Sequence, residues 1–297
     1  MITYNQYATE AQLEVMKSFD SGWKNYNPVY QRVFKVDTDP SRFTEKFSVR
    51  GGVGSFTPVT DGAAYNQKTP QVVGTQTIAA LIFKEAISIT KMMKKLDNYG
   101  SAMADANQLG YYYRMHMDKL AADLLADATG ATVTWDGLAL AHASHLIGNT
   151  GTTQSNLVSG GLTTPNAEAA IQNFSLQKDH NGRIMSAVPV KWVVPSRNWM
   201  QSRRLLGSAK TPEDENNSIN AVQDLNLELV VWPQLVTTDF EAMLLGPEMM
   251  HRLEYLVWYG PDQTADRDSS NGNDLVQLDL ACNAGAVDYL GTYFITS

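Results

Sequence analysis

The sequence predicts an α+β fold built around one long helix, and three observations carry that prediction. Between Ser101 and Ala128 the apolar residues Ala102, Ala106, Leu109, Tyr113, Met117, Leu120, Leu124 and Ala128 recur every three or four positions, the period of one buried helical face. Before this stretch lies a Gly-rich, patchily alternating segment centred on Asp61-Gly62. After it come short apolar runs separated by turn residues, the signature of strands. At 1.5 Å per residue the central helix spans roughly 40 Å, long enough to act as a spine for the whole chain.

The elements follow in order. Thr9-Glu10-Ala11-Gln12 matches a capping box, with Leu13, Met16 and Trp23 behind it, and predicts an N-terminal helix ending near Gly22. Asn27-Pro28 turns the chain. Residues 29–59 carry Phe43, Phe47 and Val49 but also Gly51, Gly52 and Gly54, a poor recipe for a core. Asp61-Gly62 is a hairpin-turn signal, and the return run holds Val72, Val73, Ile78, Leu81 and Phe83. This reads as a long two-stranded arm. Such a hairpin is marginal alone in water, so the stretch from Phe47 to Val73 is expected to be held by another surface. Asp97 and Asn98 are candidate caps of the spine, and Gly130 its stop.

Gly137 to Gly161 reads as a polar connection, and Thr164-Pro165 opens a helix with Ala167, Ala170, Ile171 and Phe174 on one face. Ala187–Val194 suits a buried strand, and Pro195-Ser196 leads into a helix ending near Leu206 and Gly207. Strands are expected at 227–232, 242–245, 252–258, 275–281 and 286–295, with Gly260 to Asn273 as an acidic loop.

Composition narrows the function classes. The chain has 297 residues, 43% hydrophobic and 18% charged, and carries no apolar run long enough for a membrane span. Its N-terminus lacks the parts of a signal peptide, and Cys282, the one cysteine, excludes an intrachain disulfide and fits a reducing compartment. A net charge of −8 argues against a general nucleic-acid binder. The charge is uneven: seven basic residues against Asp179 from Lys178 to Lys210, then fifteen acidic residues against Arg252 and Arg267 from Thr211 to Asp288. These stretches are either solvated faces or surfaces that pair within a subunit or between neighbours.

Catalytic signatures are sparse. His142 and His145 stand three apart, a spacing open to a metal, but no Cys pair or HExxH accompanies them, and a hydrogen-bonded loop is the commoner explanation. Gly51-Gly52-Val53-Gly54 lacks the third glycine and following helix of a phosphate loop. No GxSxG elbow occurs and Cys282 has no neighbouring His, so no catalytic, cofactor-binding or metal residue is assigned. The alternative that these residues leave is a soluble enzyme or metal-dependent binding protein using the His142/His145 region.

The order of capped helix, hairpin arm, spine helix and mixed domain resembles the major capsid proteins of tailed bacteriophages. The run from His145 through Ser155-Asn156-Leu157 and Gly160-Gly161-Leu162-Thr163 into Ala167–Phe174 is more specific. It continues through Asp179 and Gly182 to Val193-Val194-Pro195 and Arg204-Leu205-Leu206, and is similar to the head subunits of the Mu-like group. Gly285-Ala286-Val287-Asp288-Tyr289-Leu290-Gly291 is similar to the closing strand of that family, and Ile87-Ser88-Ile89-Thr90 to its approach to the spine helix.

The resemblance implies the Johnson capsid fold. Residues 1–33 would be an N-terminal arm, 34–84 an extended hairpin loop, 85–154 and 246–297 a peripheral domain with the spine helix, and 155–245 an axial domain. It implies a virion protein without enzymatic activity or cofactor, assembled in the bacterial cytoplasm into pentamers and hexamers of an icosahedral or prolate head. The partners implied are further copies of itself, scaffolding, decoration and portal proteins, and packaged double-stranded DNA held without sequence-specific contact, with no membrane. Glu213-Asp214-Glu215 would approach the capsomer axis. Some members stitch their shells with Lys–Asn isopeptide bonds, for which Lys46, Lys68, Asn271 and Asn273 are the residues to consider; non-covalent closure is the expectation here.

Overall fold

The computed structural model describes residues 9–52, 57–96, 99–148, 150–210 and 219–297. The chain opens with α1 (Glu10–Asn25), capped reciprocally by Thr9 and Gln12 as the capping box requires, and longer than expected by one turn. A short α2 (Tyr30–Val33) and β1 (Lys35–Thr38) follow. Next come β2 (Thr44–Arg50), β3 (Val72–Ala79), β4 (Leu81–Ile89) and α3 (Lys91–Lys95). The spine is α4 (Gly100–Ala126), one unbroken helix of 27 residues. Its flanking candidates Asp97 and Asn98 lie outside the described residues.

The polar connection after the spine holds three short strands, β5 (His145–Leu146), β6 (Thr153–Gln154) and β7 (Leu157–Ser159). α5 (Thr164–Ser175) starts as predicted, with Thr163 as cap and Pro165 in the first turn. β8 (Lys191–Pro195) and α6 (Trp199–Gly207) follow, then β9 (Glu228–Trp232) and β10 (Phe240–Leu245). The chain ends in β11 (Arg252–Arg267), β12 (Asp274–Asp288) and β13 (Thr292–Thr296). Among the described residues no helix is long and apolar enough to cross a membrane.

Two sheets organise these elements. One has the order β1-β11-β12-β4, with β1 parallel to β11 and the rest antiparallel. The other has the order β7-β13-β10-β8-β9. Strand alternation sorts their side chains onto opposite faces. Leu253 and Tyr255 with Val276, Leu278, Leu280 and Cys282 face α1 and α4, whereas Leu256, Trp258, Ala281 and Val287 face the other way and receive Val49 and Ile78 of the hairpin. In the second sheet Val193, Val230, Trp232, Met243 and Phe294 join the helix-side core, while Trp192, Val194, Leu244 and Ile295 lie under α5 and α6. One continuous core therefore links the spine to both sheets.

The strands expected at 275–281 and 286–295 divide differently, as β12 runs unbroken to Asp288 and β13 starts at Thr292. Three further expectations need correction. The spine buries Ala102, Ala106, Gly110, Tyr113, Met117, Ala121, Ala122 and Leu125, while Leu109, Leu120 and Leu124 are only half-buried. Small residues win the inner face because α1 approaches closely: a Cβ on Gly22 would sit 1.8 Å from the Asn107 carbonyl oxygen. Second, the acidic stretch after Gly260 is not a loop but continues β11 to Arg267, paired from Asp262↔Asp279 to Arg267↔Asp274 beyond a register shift at Tyr259. Third, the root of the hairpin belongs to its own subunit. β2 and β3 pair from Thr44↔Ala79 to Arg50↔Val72, and Val49 and Ile78 are buried. Among the described residues of the hairpin, those from 57 to 72 form the stretch that is exposed throughout.

Candidate functional site

The hairpin root is fixed by shape and by hydrogen bonds. The Trp135 ring lies across Gly74 so closely that a Cβ there would meet its Cε3 at 2.4 Å, and Ile78 fills the space left by Gly285 in β12. Arg252 donates to the Ser48 carbonyl at 3.0 Å, Asn283 to Ala79 at 2.7 Å, Gln76 to Val133 at 2.8 Å and Trp258 to Arg42 at 2.5 Å. Beyond this root Gly62 adopts φ +80 and Ala63 donates to Thr60, forming the turn that Asp61-Gly62 announces. Tyr65, 97% exposed, and Val59 project from this tip. Among the described residues, nothing in the subunit covers the side chains of this hairpin end.

Behind the root lies a buried polar cluster. Trp135 Nε1 donates to Asp288 Oδ1 at 3.2 Å, and His180 Nε2 lies 2.7 Å from Asp288 Oδ2. Tyr289 stacks on His145 at 4.0 Å between centroids, and His180 meets Tyr289 edge-on. His145 Nδ1 lies 2.8 Å from Asp136 Oδ2 and its Nε2 3.2 Å from the Leu140 carbonyl, so both ring nitrogens are engaged by protein oxygens. Burial pushes the Asp136 carboxyl up, but hydrogen bonds from His145, Thr134 and the Leu138 amide outweigh it and hold the group at about 2. His142 Nδ1 accepts from the Ser144 amide, and its ring stands 5.8 Å from that of His145. The pair is thus a structural feature of the β5 region, and among the described residues no group of three acidic, His or Cys side chains converges on a metal position.

A second buried polar centre joins the spine to the rest. Asp118, fully buried on α4, accepts from the Val29 and Tyr30 amides at 2.7 and 2.8 Å, and from the Tyr26 hydroxyl and Trp232 Nε1, both at 2.9 Å. One carboxylate therefore gathers the chain leaving α1, the spine and β9 of the second sheet. Burial first, then the neighbouring Asp118 carboxylate, pushes the Tyr26 hydroxyl well above its ordinary range, so it remains a donor. Cys282 is buried beside the Tyr255 hydroxyl at 3.3 Å, and burial pushes its thiol up to about 11, which makes it a packing residue and not a nucleophile. Sequence reasoning missed Asp118, Trp135, His180 and Asp288. A lone Asp inside an apolar helical stripe was the one available signal. The Glu213-Asp214-Glu215 loop lies outside the described residues.

A spine helix on one sheet, an arm rooted on the opposite face and a second helix-covered sheet define the fold. Solved capsids share this fold. The mature capsid of bacteriophage PhiM1 superimposes with a TM-score of 0.60 at 10% identity, over 91% of this chain and 87% of that one. The capsid of the native GTA particle does so at 0.58 and 11%, over 91% and 90%. The capsid of Ralstonia phage GP4 gives 0.54 and 13%, over 88% and 86%. A search of the curated proteins found no match.

The chain belongs to the phage capsid protein family, whose model matches residues 74–295. It is a major capsid protein of a phage head, with an α+β fold. The alternative of a metal-dependent enzyme at His142/His145 finds no support.

Proposed function

We propose that this chain closes a DNA-filled phage head as pentamers and hexamers of one subunit, without catalysing a reaction. The observation that carries this reading is the family match across most of the chain, joined to an arm whose root is built on its own subunit and whose tip is solvent-exposed. Rings of identical subunits bury complementary, non-identical patches, and an arm that reaches past its own domain ties one ring to the next. The division into an N-terminal arm (1–33), extended loop (34–84), peripheral domain (85–154 and 246–297) and axial domain (155–245) fits this role. Support comes from α5 and α6 covering one face of the β7-β13-β10-β8-β9 sheet with a core of their own, β13 being the strand that the 246–297 segment lends to that sheet. The net charge of −8 suits a container, because a strongly basic wall would condense DNA against itself.

Scaffolding, decoration and portal proteins, assembly in the host cytoplasm and placement in the Mu-like group belong to the same proposal. The supporting sequence for that group is the His145–Leu206 run. Electron microscopy of the purified full chain tests the function: rings and closed shells are expected, and a small fixed oligomer with no shells overturns it.

A further inference from the structure

Two grooves on the helix-covered face of the second sheet have matching character. The first, of about 730 Å³, lies between α6 and β9; Met200, Leu206, Leu227 and Leu229 form its walls and Arg203 and Arg204 its rim. Met200 is 59% exposed, Trp199 beside it is also exposed, and among the described residues neither arginine has an ion-pair partner. The second groove, of about 450 Å³, lies on the α5 side; Ile171, Val188, Pro189, Val222 and Leu225 form its walls and Glu168 its rim. Val188 is 55% exposed, Asp224 is exposed beside Leu225, and among the described residues neither Glu168 nor Asp224 has an ion-pair partner.

The two grooves share no residue, and α6 stands over β8 and β9 while α5 stands over β13, β10 and β7. Each copy thus offers a basic apolar surface on α6 and β9 and an acidic apolar one between α5 and the 221–225 segment, which itself packs against α6. Two different patches of opposite charge on one chain are the requirement for a head-to-tail contact that closes a ring. Apolar walls exclude water once covered, and the charged rims fix which groove meets which. We propose that the α6 groove of one subunit receives the α5 face of the next, with Arg203 and Arg204 opposite Glu168 and Asp224, and that this contact closes the capsomer ring. The occupant is a second copy of this chain, and the inference rests on the capsid reading above.

The test compares four full-length chains by native mass spectrometry and negative-stain microscopy: wild type, R203E/R204E, E168R/D224R, and the quadruple variant carrying all four changes. All four positions are solvent-exposed, and circular dichroism of each variant verifies the fold. Each double variant places like charges across every ring contact and is expected to lower ring formation by at least about tenfold. The quadruple variant restores opposite charges at every contact and is expected to recover rings. Wild-type assembly by R203E/R204E overturns the proposal, and so does a quadruple variant that stays unassembled while folded. A wild-type chain that forms no rings at all refutes the capsid reading itself, which separates the two failures.

Discussion

Gly110 of the spine helix lies so close to α1 that a Cβ on it would sit 2.2 Å from the Phe19 carbonyl oxygen. That atom is backbone and cannot swing aside, so the two helices would have to part. Gly110→Ala gains about 1 kcal/mol of helix propensity, yet forcing the helices apart costs roughly 1–3 kcal/mol or more. The expected outcome is net destabilisation, read as a lower urea midpoint with an unchanged slope. An Ala variant as stable as wild type would mean that α1 adjusts without loss.

Asp118 should matter more than any single apolar residue of the spine. Asp118→Ala leaves two amides, a tyrosine hydroxyl and an indole N–H facing a buried void. Stranding buried donors costs roughly 1–3 kcal/mol each before relaxation, so a loss of about 3–5 kcal/mol is expected. Because Trp232 belongs to the second sheet, its fluorescence should change together with the global unfolding signal. A variant that loses less than about 1 kcal/mol would show that water replaces the carboxylate.

The uneven legibility of this chain in its sequence has a physical pattern. Local signals were readable: the Thr9/Gln12 capping box, the Thr163-Pro165 helix start and the Asp61-Gly62 turn all depend on neighbours in sequence. Contacts distant in sequence were not. Asp262, Asp266 and Arg267 are poor strand formers, yet β12 supplies their ladder, and Gln12 of α1 donates to the Asp266 and Leu275 carbonyls at 2.8 and 3.0 Å. The spine was legible as a helix and in most of its buried face, since Ala102, Ala106, Tyr113, Met117 and Ala128 are buried as expected. It was not legible at Leu109, Leu120 and Leu124, because leucines outrank Gly110 and Ala121 on any hydropathy scale while α1 needs the small ones. Leu125→Ala is therefore the costly truncation, and Leu120→Ala a mild one. Apart from the Leu290 amide on Asp288, the polar centres at Asp118 and Asp288 draw their partners from more than 80 residues away, beyond the reach of any motif.

Acid should weaken the subunit through His251. Its ring is 2% exposed, Nδ1 has no partner among the described residues, and burial followed by the Lys191 and Lys35 charges lowers its pKa from 6.5 to about 4. The folded state therefore favours the neutral ring. The stability this provides is intact above pH 6.5, declines as pH falls because the unfolded chain takes up the proton first, and is fully lost near pH 4. The ceiling is roughly 3 kcal/mol. Denaturant melts of wild type and His251→Leu across that range should diverge in slope, with the variant flatter. Parallel curves would place the proton uptake elsewhere.

Amide exchange should divide the hairpin at its root. In an isolated subunit residues 57–71 are expected to exchange fast, while β2 and β3, which carry Val49 and Ile78 into the core, stay protected. In assembled shells the tip should become slow as well, because the proposed arm contact would cover Tyr65 and Val59. Equal tip exchange in both states would show that the arm has no partner surface in the shell.

Mature shells should dissolve to single chains. An isopeptide stitch needs an arm lysine, a neighbour's asparagine and a carboxylate basic enough to take the lysine proton. Lys46 and Lys68 are exposed on the hairpin and meet the first need. Asn271 lies in the β11–β12 turn, but its amide donates to Asp268 Oδ2 at 2.6 Å and its Oδ1 accepts from the Asn273 amide at 2.9 Å. Those bonds hold the side chain in the turn, away from an incoming amine. The nearest carboxylate is also of the wrong kind. Hydrogen bonds from the Ser270 hydroxyl and amide, then from Asn271, lower the Asp268 pKa, and a lowered pKa makes a weaker base. Asp268 is only half-buried, and that burial raises its pKa less than the Ser270 bonds lower it. Denaturing electrophoresis of mature shells should therefore give one band at 32.8 kDa. A ladder at multiples of that mass would mean that a neighbouring subunit supplies the apolar cover and the base that this turn lacks.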